Sequence, residues 1–243
     1  MTGPAPPAGI WPGSPPTSQS PQCHPCLPQN PDSLISSYGM RMSRIDRILV
    51  ESGPLPYLLS VPGSDPPPSG AWPLLCFLHG YDEGAPMPAE RALTRHGPLA
   101  AGSSAVAASD FVVVAPQLPA RGDLWPRYAE AVEQVVRQVQ AQHRADPART
   151  FLTGFSFGGN GVLDLALEQR DFWAALWPVD PTRVPREDAG RPLWFSSSEI
   201  SRHYAGAFIR RLRLEPLPWR AGGSRLRRSR SGSRGHGPAG LPG

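Results

Sequence analysis

Ser156 lies in the one stretch of this sequence that best combines a nucleophile with a backbone able to present it. Gly154-Phe155-Ser156-Phe157-Gly158 fits the pattern G-x-S-x-G, with a β-like run before it and a helix-like run after it. Such glycines allow a sharp strand-to-helix turn that pushes a serine hydroxyl out above a sheet. The pattern alone is common, so its flanks carry the prediction that Ser156 is a nucleophile attacking a carbonyl carbon.

A second glycine turn supplies what such a nucleophile needs, namely donors for the oxyanion that forms on the carbonyl oxygen. The segment LHGYDEG (78–84) follows an apolar run at the point where a sheet strand would end. We expect the backbone N–H groups of Phe157 and of Gly80 or Tyr81 to form the oxyanion hole, aided by the helix N-terminus beneath Ser156. His79 is expected to pack under this loop.

The elements that must position these turns alternate between strand and helix. The strand segments are predicted at 43–51, 54–63, 73–80, 110–117, 149–155, 172–180 and 191–197, and the helices near 124–146, 160–170 and 200–214. Alternation of this kind predicts an α/β fold with a mainly parallel sheet and helices on both faces. Ligand sites in such sheets lie at the carboxyl ends of the strands, where both glycine turns fall.

The motifs together resemble those of a known family. DPARTFLTGFSFGGNGVLDLA resembles the elbow region of α/β-hydrolase esterases of the phospholipase/carboxylesterase and predicted-peptidase groups. LHGYDEG, RHGPLA and FVVVAPQLP followed by LW resemble further segments of these proteins, in the same order. The likeness covers residues 73–180 and, more loosely, 191–212. It implies an α/β-hydrolase fold and a serine hydrolase that cleaves a small-molecule carboxylic ester without a cofactor. Peptidase or thioesterase chemistry would use the same parts.

The acid and the base of a triad would follow the serine in the chain order Ser, acid, His. The family places the acid after the strand PLWF, where SSSEIS offers only Glu199, so Glu199 is preferred and Asp180 is the alternative. His236 and His203 are the histidines after Ser156. We assign His236 as the base, although its Arg/Gly/Ser surroundings predict no strand to support it. His203 is expected to make an exposed contact with Glu199 on one helix.

Other polar or aromatic residues near the predicted strand ends are candidates for substrate contact, with packing as the alternative for the tryptophan. They are Asp82, Trp125 and Asn160. His96 precedes the serine, so we expect it to line the pocket or cap a turn. No metal site is expected: Cys23 and Cys26 have suitable spacing but no second ligand pair, and Cys76 reads as a core residue.

Composition divides the 243 residues into three parts. We expect a disordered Pro-rich extension over 1–39, one hydrolase domain over 40–215, and a disordered Arg/Gly-rich tail over 216–243. The net charge of +4 arises in the tail, because nine arginines follow residue 209 against the single acid Glu215. We hypothesise that a frameshift near Trp219 replaces the last strand and the native histidine. A catalytically defective homologue is therefore the alternative function, with a basic-tail binder of nucleic acid or acidic partners a more distant one.

The sequence contains no apolar run long enough to span a membrane and no basic region followed by an apolar core at its N-terminus. A membrane protein and a signal peptide are therefore not expected, and the expected location is the cytoplasm. Nucleic-acid binding is not the expected function, because the basic run has no interleaved aromatics after Trp219. The oligomeric state is left open.

Overall fold

The structure is a computed structural model, and it describes residues 46–100, 103, 109–199, 201–216 and 224–227. The Pro-rich segment 1–39, the cysteines at 23 and 26, and His236 lie outside these residues. The expectations for them therefore stay predictions.

The described residues form a single mixed sheet. Its strands are β1 (Ile48–Val50), β2 (Tyr57–Ser60), β3 (Trp72–Leu78), β4 (Val112–Pro116), β5 (Ala145–Phe155), β6 (Ala175–Val179), β7 (Trp194–Ser197), β8 (Glu215–Pro216) and β9 (Ser224–Arg227). They lie in the order β1-β2-β4-β3-β5-β6-β7-β9-β8. The central run β4-β3-β5-β6-β7 is parallel, and the strands at both edges are antiparallel.

Helices connect the central strands. They are α1 (Ala89–Leu93), α2 (Ala129–His143), α3 (Phe157–Glu168) and α4 (Arg202–Leu212), with short 3-10 turns at Tyr81–Glu83 and Trp125–Tyr128. The valines of α2 recur at helical spacing and all face the sheet, fully buried: Val132, Val135, Val136 and Val139. That stripe explains why this segment is a helix and why it packs where it does. None of the described helices is long and apolar enough to cross a membrane.

Helices cover both faces of the sheet, and each face has its own core. On one face Leu74, Cys76 and Leu78 of β3 belong to one core together with residues of α2, α3 and α4. On the other face Phe77 packs with Leu93 of α1. A mainly parallel sheet between two helical layers, with the G-x-S-x-G serine at a strand-to-helix turn, is the α/β-hydrolase arrangement. The predicted fold class is confirmed.

Two local expectations are wrong. The tail was expected to contain no strand, yet Ser224–Arg227 forms β9 and pairs antiparallel with β7. Strand pairing uses the backbone N–H and C=O groups, so a charged sequence does not prevent it. Glu199 and His203 do not share a helix either, because α4 begins at Arg202. No ion pair joins these two described side chains.

Candidate active site

Ser156 has the backbone conformation of a residue forced onto a sharp turn. It stands between the end of β5 and the first turn of α3, with φ 56° and ψ −112°. A positive φ is rare for a residue with a Cβ atom and stores strain that the surrounding structure must hold. Its N–H is fixed by the carbonyl of Val179 at 2.8 Å, and its carbonyl accepts the N–H of Asn160 at 3.2 Å. These bonds hold the half-buried serine at the carboxyl end of the sheet.

The glycines of the motif let three elements approach more closely than any side chain would allow. A Cβ atom on Gly154 would lie 2.5 Å from the carbonyl oxygen of Gly158. One on Gly158 would overlap the carbonyl of Leu78 and lie 2.6 Å from that of His79. One on Gly159 would lie 2.8 Å from the carbonyl of Val179. Each glycine thus permits the elbow to sit directly against β3 and β6.

The two proposed oxyanion donors, Tyr81 and Phe157, lie on adjacent turns. The ring of Tyr81 meets the ring of Phe157 edge to face with 5.5 Å between centroids. Phe157 is the first residue of α3, so its N–H has no carbonyl four residues back within the helix. Gly80 does not serve as a donor, which corrects that alternative: its N–H is bound to Glu83 Oε2 at 2.5 Å.

Glu83 is a residue that the sequence reasoning missed. Its side chain is buried at 3% exposure, and it also approaches His96, with 3.3 Å between Oε1 and Nε2. The signal was present, because Gly-Tyr-Asp-Glu places an acid three residues after the N-cap Gly80, as in a capping box. His96 in turn packs its ring 4.9 Å from that of Phe155, the residue before Ser156.

His79 is a buried structural residue, as expected. Its Nε2 accepts the N–H of Leu118 at 3.0 Å, and its Nδ1 lies 2.7 Å from the carbonyl of Gly80. Burial lowers the pKa of His79 to about 4, because a charged ring would lose its hydration. With both ring nitrogens engaged and the ring enclosed, His79 is not available as the base for Ser156.

Trp125 lies in the core and not on a binding surface, so we withdraw it as a substrate contact. It is 1% exposed, and its indole N–H donates to the carbonyl of His79 at 3.3 Å. Its ring packs against Gly161, where a Cβ atom would come within 2.5 Å of the indole. Trp125 therefore supports the β3 end and the first turns of α3 from below.

Asp180 occupies the end of β6, immediately after the residue that binds the Ser156 N–H. Like Ser156 it has a positive φ, of 48°. Its Oδ1 accepts hydrogen bonds from Ser201 Oγ at 2.6 Å and from the N–H of Ser198. These two bonds fix the carboxylate through one of its oxygens. A carboxylate held in this way can orient a histidine.

Asn160 is a positioning residue and not an exposed substrate contact. Its side chain is nearly buried at 6% exposure, and its Oδ1 accepts the N–H groups of Thr182 and Arg183, each at 2.9 Å. Its Nδ2 donates to Thr182 Oγ1 at 2.9 Å. Asn160 thereby ties the loop after Asp180 to the helix that begins at the elbow.

The other triad candidates that the structure describes, Glu199 and His203, are exposed. Glu199 is exposed just beyond β7, and its carboxylate has no hydrogen bond among the described residues. His203 is exposed on α4, where its ring lies 3.8 Å from that of Tyr204. His236 lies outside the described residues. No hydrogen bond within the described part of the chain involves Ser156 Oγ.

An open pocket of about 400 Å³ lies beside the Tyr81 turn. It is lined by Asp82, Gly84, Pro86, Met87, Arg95 and Arg121. Asp82 is half exposed, and its carboxylate pairs with Arg121 at 2.5 Å. The predicted substrate residue Asp82 therefore does border a cavity, next to the candidate oxyanion donor Tyr81. Its lining combines the apolar side chains of Pro86 and Met87 with the charged side chains of Asp82, Arg95 and Arg121.

Among the described residues, neither a metal-ligand cluster nor a reactive thiol accompanies this site. The described residues contain no group of three or more His, Cys, Asp or Glu side chains that could hold a metal ion. Cys76 is fully buried in β3, and burial raises the pKa of its thiol well above the ordinary value. It is a core residue, as predicted.

No protein-family model matches this sequence, and no curated protein is significantly similar to it. Three solved structures with similar backbones are a thermostable esterase, the fluorophosphonate-binding serine hydrolase FphF of Staphylococcus aureus, and an acetyl xylan esterase from Aspergillus awamori. Their sequence identities are 23%, 16% and 16%, and their TM-scores are 0.42, 0.44 and 0.43. The matches cover 56%, 58% and 57% of this chain and 40%, 58% and 52% of the other chains. The chain thus spans about half the length of these neighbours, which are esterases and serine hydrolases.

Proposed function

We propose that this chain is a serine hydrolase that cleaves a carboxylic ester through an acyl-enzyme on Ser156. The observation that carries the proposal is the positive φ of Ser156 at a strand-to-helix turn, held by glycine contacts on both sides. In the first step Ser156 Oγ attacks the ester carbonyl and the alcohol leaves with a proton. Water then attacks the acyl-serine and releases the acid. The resemblance of the elbow motif to carboxylesterases makes an ester the first substrate class, ahead of a thioester or peptide.

The N–H groups of Phe157 and Tyr81 would stabilise the negative charge that develops on the carbonyl oxygen in each step. The edge-to-face contact of their rings keeps the two turns together. The N-terminus of α3 adds its positive dipole end at the same place. Donors fixed in advance stabilise the transition state most, because they need no reorganisation during the reaction.

For the acid we now propose Asp180 in preference to Glu199. The carboxylate of Asp180 is oriented by Ser201 and by the backbone of Ser198, whereas Glu199 is exposed. A fixed acid can hold an imidazole in one tautomer, which a mobile acid does poorly. The base remains a proposal for His236 or His203.

The substrate would approach Ser156 over the pocket beside Tyr81. That pocket has space for a small acyl or alcohol group, with Asp82 at its rim. Its volume lies within the range that small ligands occupy in proteins, about 300–1,000 Å³. We therefore propose a small-molecule ester as the substrate.

The proposal is tested by the turnover of p-nitrophenyl acetate and butyrate. We expect hydrolysis by the purified chain, and its loss to the background rate in Ser156→Ala, because no other hydroxyl is placed on the elbow. Ser64→Ala is a matched control, since Ser64 is an exposed loop serine. Full turnover in Ser156→Ala, or none in the unchanged chain, would contradict the assignment.

The alternative of a non-catalytic hydrolase homologue is favoured by one observation. Within the described residues no imidazole is bound to Ser156 Oγ, and His79 has both ring nitrogens engaged. In such a protein Ser156 stands on the elbow but is not activated. It would fail to react with a fluorophosphonate even though its fold is intact by circular dichroism.

A further inference from the structure

A buried carboxylate lies directly under the turn that carries Tyr81. Glu83 is 3% exposed, and its Oε2 accepts the Gly80 N–H at 2.5 Å. Its Oε1 lies 3.3 Å from His96 Nε2 and 4.0 Å from Arg95 Nη1. A carboxylate removed from water is costly unless donors and cations compensate it. Here both kinds of partner are present, so its burial calls for an explanation beyond packing.

The two oxygens of Glu83 join the two halves of the proposed acylation site. One oxygen binds Gly80, the residue before Tyr81. The other faces His96, whose ring packs 4.9 Å from that of Phe155, the residue before Ser156. A single side chain therefore links the turn with one oxyanion donor to the elbow with the nucleophile.

We propose that Glu83 is the positioning residue of the oxyanion hole. By holding the Gly80 N–H, it fixes the His79–Gly80 peptide and with it the start of the next peptide, whose carbonyl lies 2.7 Å from His79 Nδ1 and whose N–H is that of Tyr81. Gly80 has no side chain to restrict its own rotation, and a Cβ atom there would lie 2.9 Å from Oε2. Arg95 offsets the charge of Glu83, which would otherwise oppose the nearby oxyanion. This inference rests on the proposed hydrolase function.

The backbone of the turn has independent anchors, so the carboxylate can be changed while the fold is kept. Gln117 Nε2 donates to the carbonyl of Glu83 at 3.0 Å and to that of Met87 at 2.7 Å. The N–H of Gly122 donates to the carbonyl of Tyr81 at 3.1 Å. These bonds hold the position of the turn, and Glu83 adds the orientation of one peptide within it.

The test compares Glu83→Ala, Glu83→Asp and Glu83→Gln with the unchanged full chain. Two quantities are measured: the rate constant for fluorophosphonate labelling of Ser156 and the final labelled fraction. For Glu83→Ala we expect the rate constant to fall about 10–100-fold while the final fraction stays complete, because a displaced donor slows the reaction of every folded molecule. Glu83→Asp, one methylene shorter, should slow it about tenfold. Glu83→Gln, whose amide oxygen can still accept the Gly80 N–H, should stay within about threefold.

The same variants are assayed with p-nitrophenyl acetate, where kcat should fall and KM stay unchanged, because an oxyanion donor acts only in the transition state. Glu90→Gln is the matched control, since Glu90 is exposed on α1. Unchanged rate constants in Glu83→Ala or Glu83→Asp overturn the proposal, as does a lower labelled fraction at an unchanged rate constant. If Glu83→Ala does not fold, Glu83→Asp decides. An unlabelled wild-type chain overturns the hydrolase function itself, and the role of Glu83 with it.

Discussion

The two sides of the candidate site differ in how firmly they are built. On the nucleophile side, at the ends of β3 and β5, Ser156 and the Tyr81 turn are held by close glycine contacts, by the buried carboxylate of Glu83, and by the buried rings of His79 and Trp125. On the acid side, at the ends of β6 and β7, Asp180 is bound to Ser198 and Ser201, while Glu199 and His203 are exposed.

This difference follows the physical demands of the two tasks. Oxyanion donors lower a barrier only if they are already in place when charge develops, so their support must be rigid. An acid and a base also need a defined geometry, but proton transfer can be completed when substrate closes the site. The described residues thus hold the proposed nucleophile and the proposed acid Asp180 in place, and no imidazole among them is bound to Ser156 Oγ.

The nucleophile side should tolerate no added atom at its closest contact. Gly158→Ala would drive a Cβ atom into the carbonyls of Leu78 and His79. We expect the free energy of unfolding to fall by about 4 kcal/mol or more, and fluorophosphonate labelling of Ser156 to be lost completely. Gly206→Ala is the control, because the nearest atom to a Cβ there is the flexible Arg210 Nη1 at 3.5 Å. That exposed helical change should stabilise the chain by about 0.5–1 kcal/mol. Urea unfolding measures both, and equal stabilities would contradict the packing account.

Two substitutions that each remove one carboxylate charge show which residue is the acid. Asp180→Asn should lower kcat for ester hydrolysis about 10²–10⁴-fold, because an asparagine cannot stabilise the imidazolium and favours the wrong tautomer. Glu199→Gln should leave kcat within about twofold, since its carboxylate is exposed and makes no hydrogen bond within the described part of the chain. Steady-state kinetics on purified, folded variants provide the measurement. The reverse pattern would return the acid to the position after β7.

The burial of His79 predicts that the nucleophile side loses stability in acid. Its pKa is lowered to about 4 in the folded chain, against 6.5 when unperturbed, so between these values the unfolded chain binds the proton more readily. Stability is therefore fully present above pH 6.5 and falls, by up to about 3 kcal/mol, as the pH drops toward 4. Urea unfolding between pH 7 and 4.5 tests this. His143→Gln should keep the decrease, and a flat stability profile would refute it.

The smallest effect is expected where the two sides are joined. Asn160→Ala removes the acceptor for the N–H groups of Thr182 and Arg183. Because both residues are exposed, water can replace the lost bonds, and the cost should be about 1 kcal/mol. We expect kcat to fall severalfold through movement of the Asp180 loop. If kcat is unchanged while stability falls, the loop does not depend on this link.

The elbow was predictable from sequence because its determinants are local. A strand, a glycine-flanked serine and a helix follow one another within about twenty residues, and the structure places them as expected. The ends of the parallel strands also predicted that LHGYDEG would lie beside the elbow. The fold class followed from alternating strands and helices.

The roles of Glu83, His96 and Trp125 were not predictable in the same way. Glu83 and His96 meet because separate segments converge at one sheet edge, and no periodicity reports such a contact. Trp125 follows a predicted strand, but its position along the chain does not show whether the side chain is buried. In the structure the tryptophan is buried and donates to the carbonyl of His79. The strand Ser224–Arg227 pairs through its backbone, which its Arg-rich side chains do not reveal.

The most direct test of the account is to locate the residue that a fluorophosphonate modifies. The full chain is treated with the probe, digested and examined by mass spectrometry, with Ser156→Ala and Ser64→Ala in parallel. The account predicts one phosphonylated site, at Ser156, which is absent from Ser156→Ala and retained in Ser64→Ala. An unmodified folded chain, or a label on another residue, would contradict the claim that Ser156 is the nucleophile.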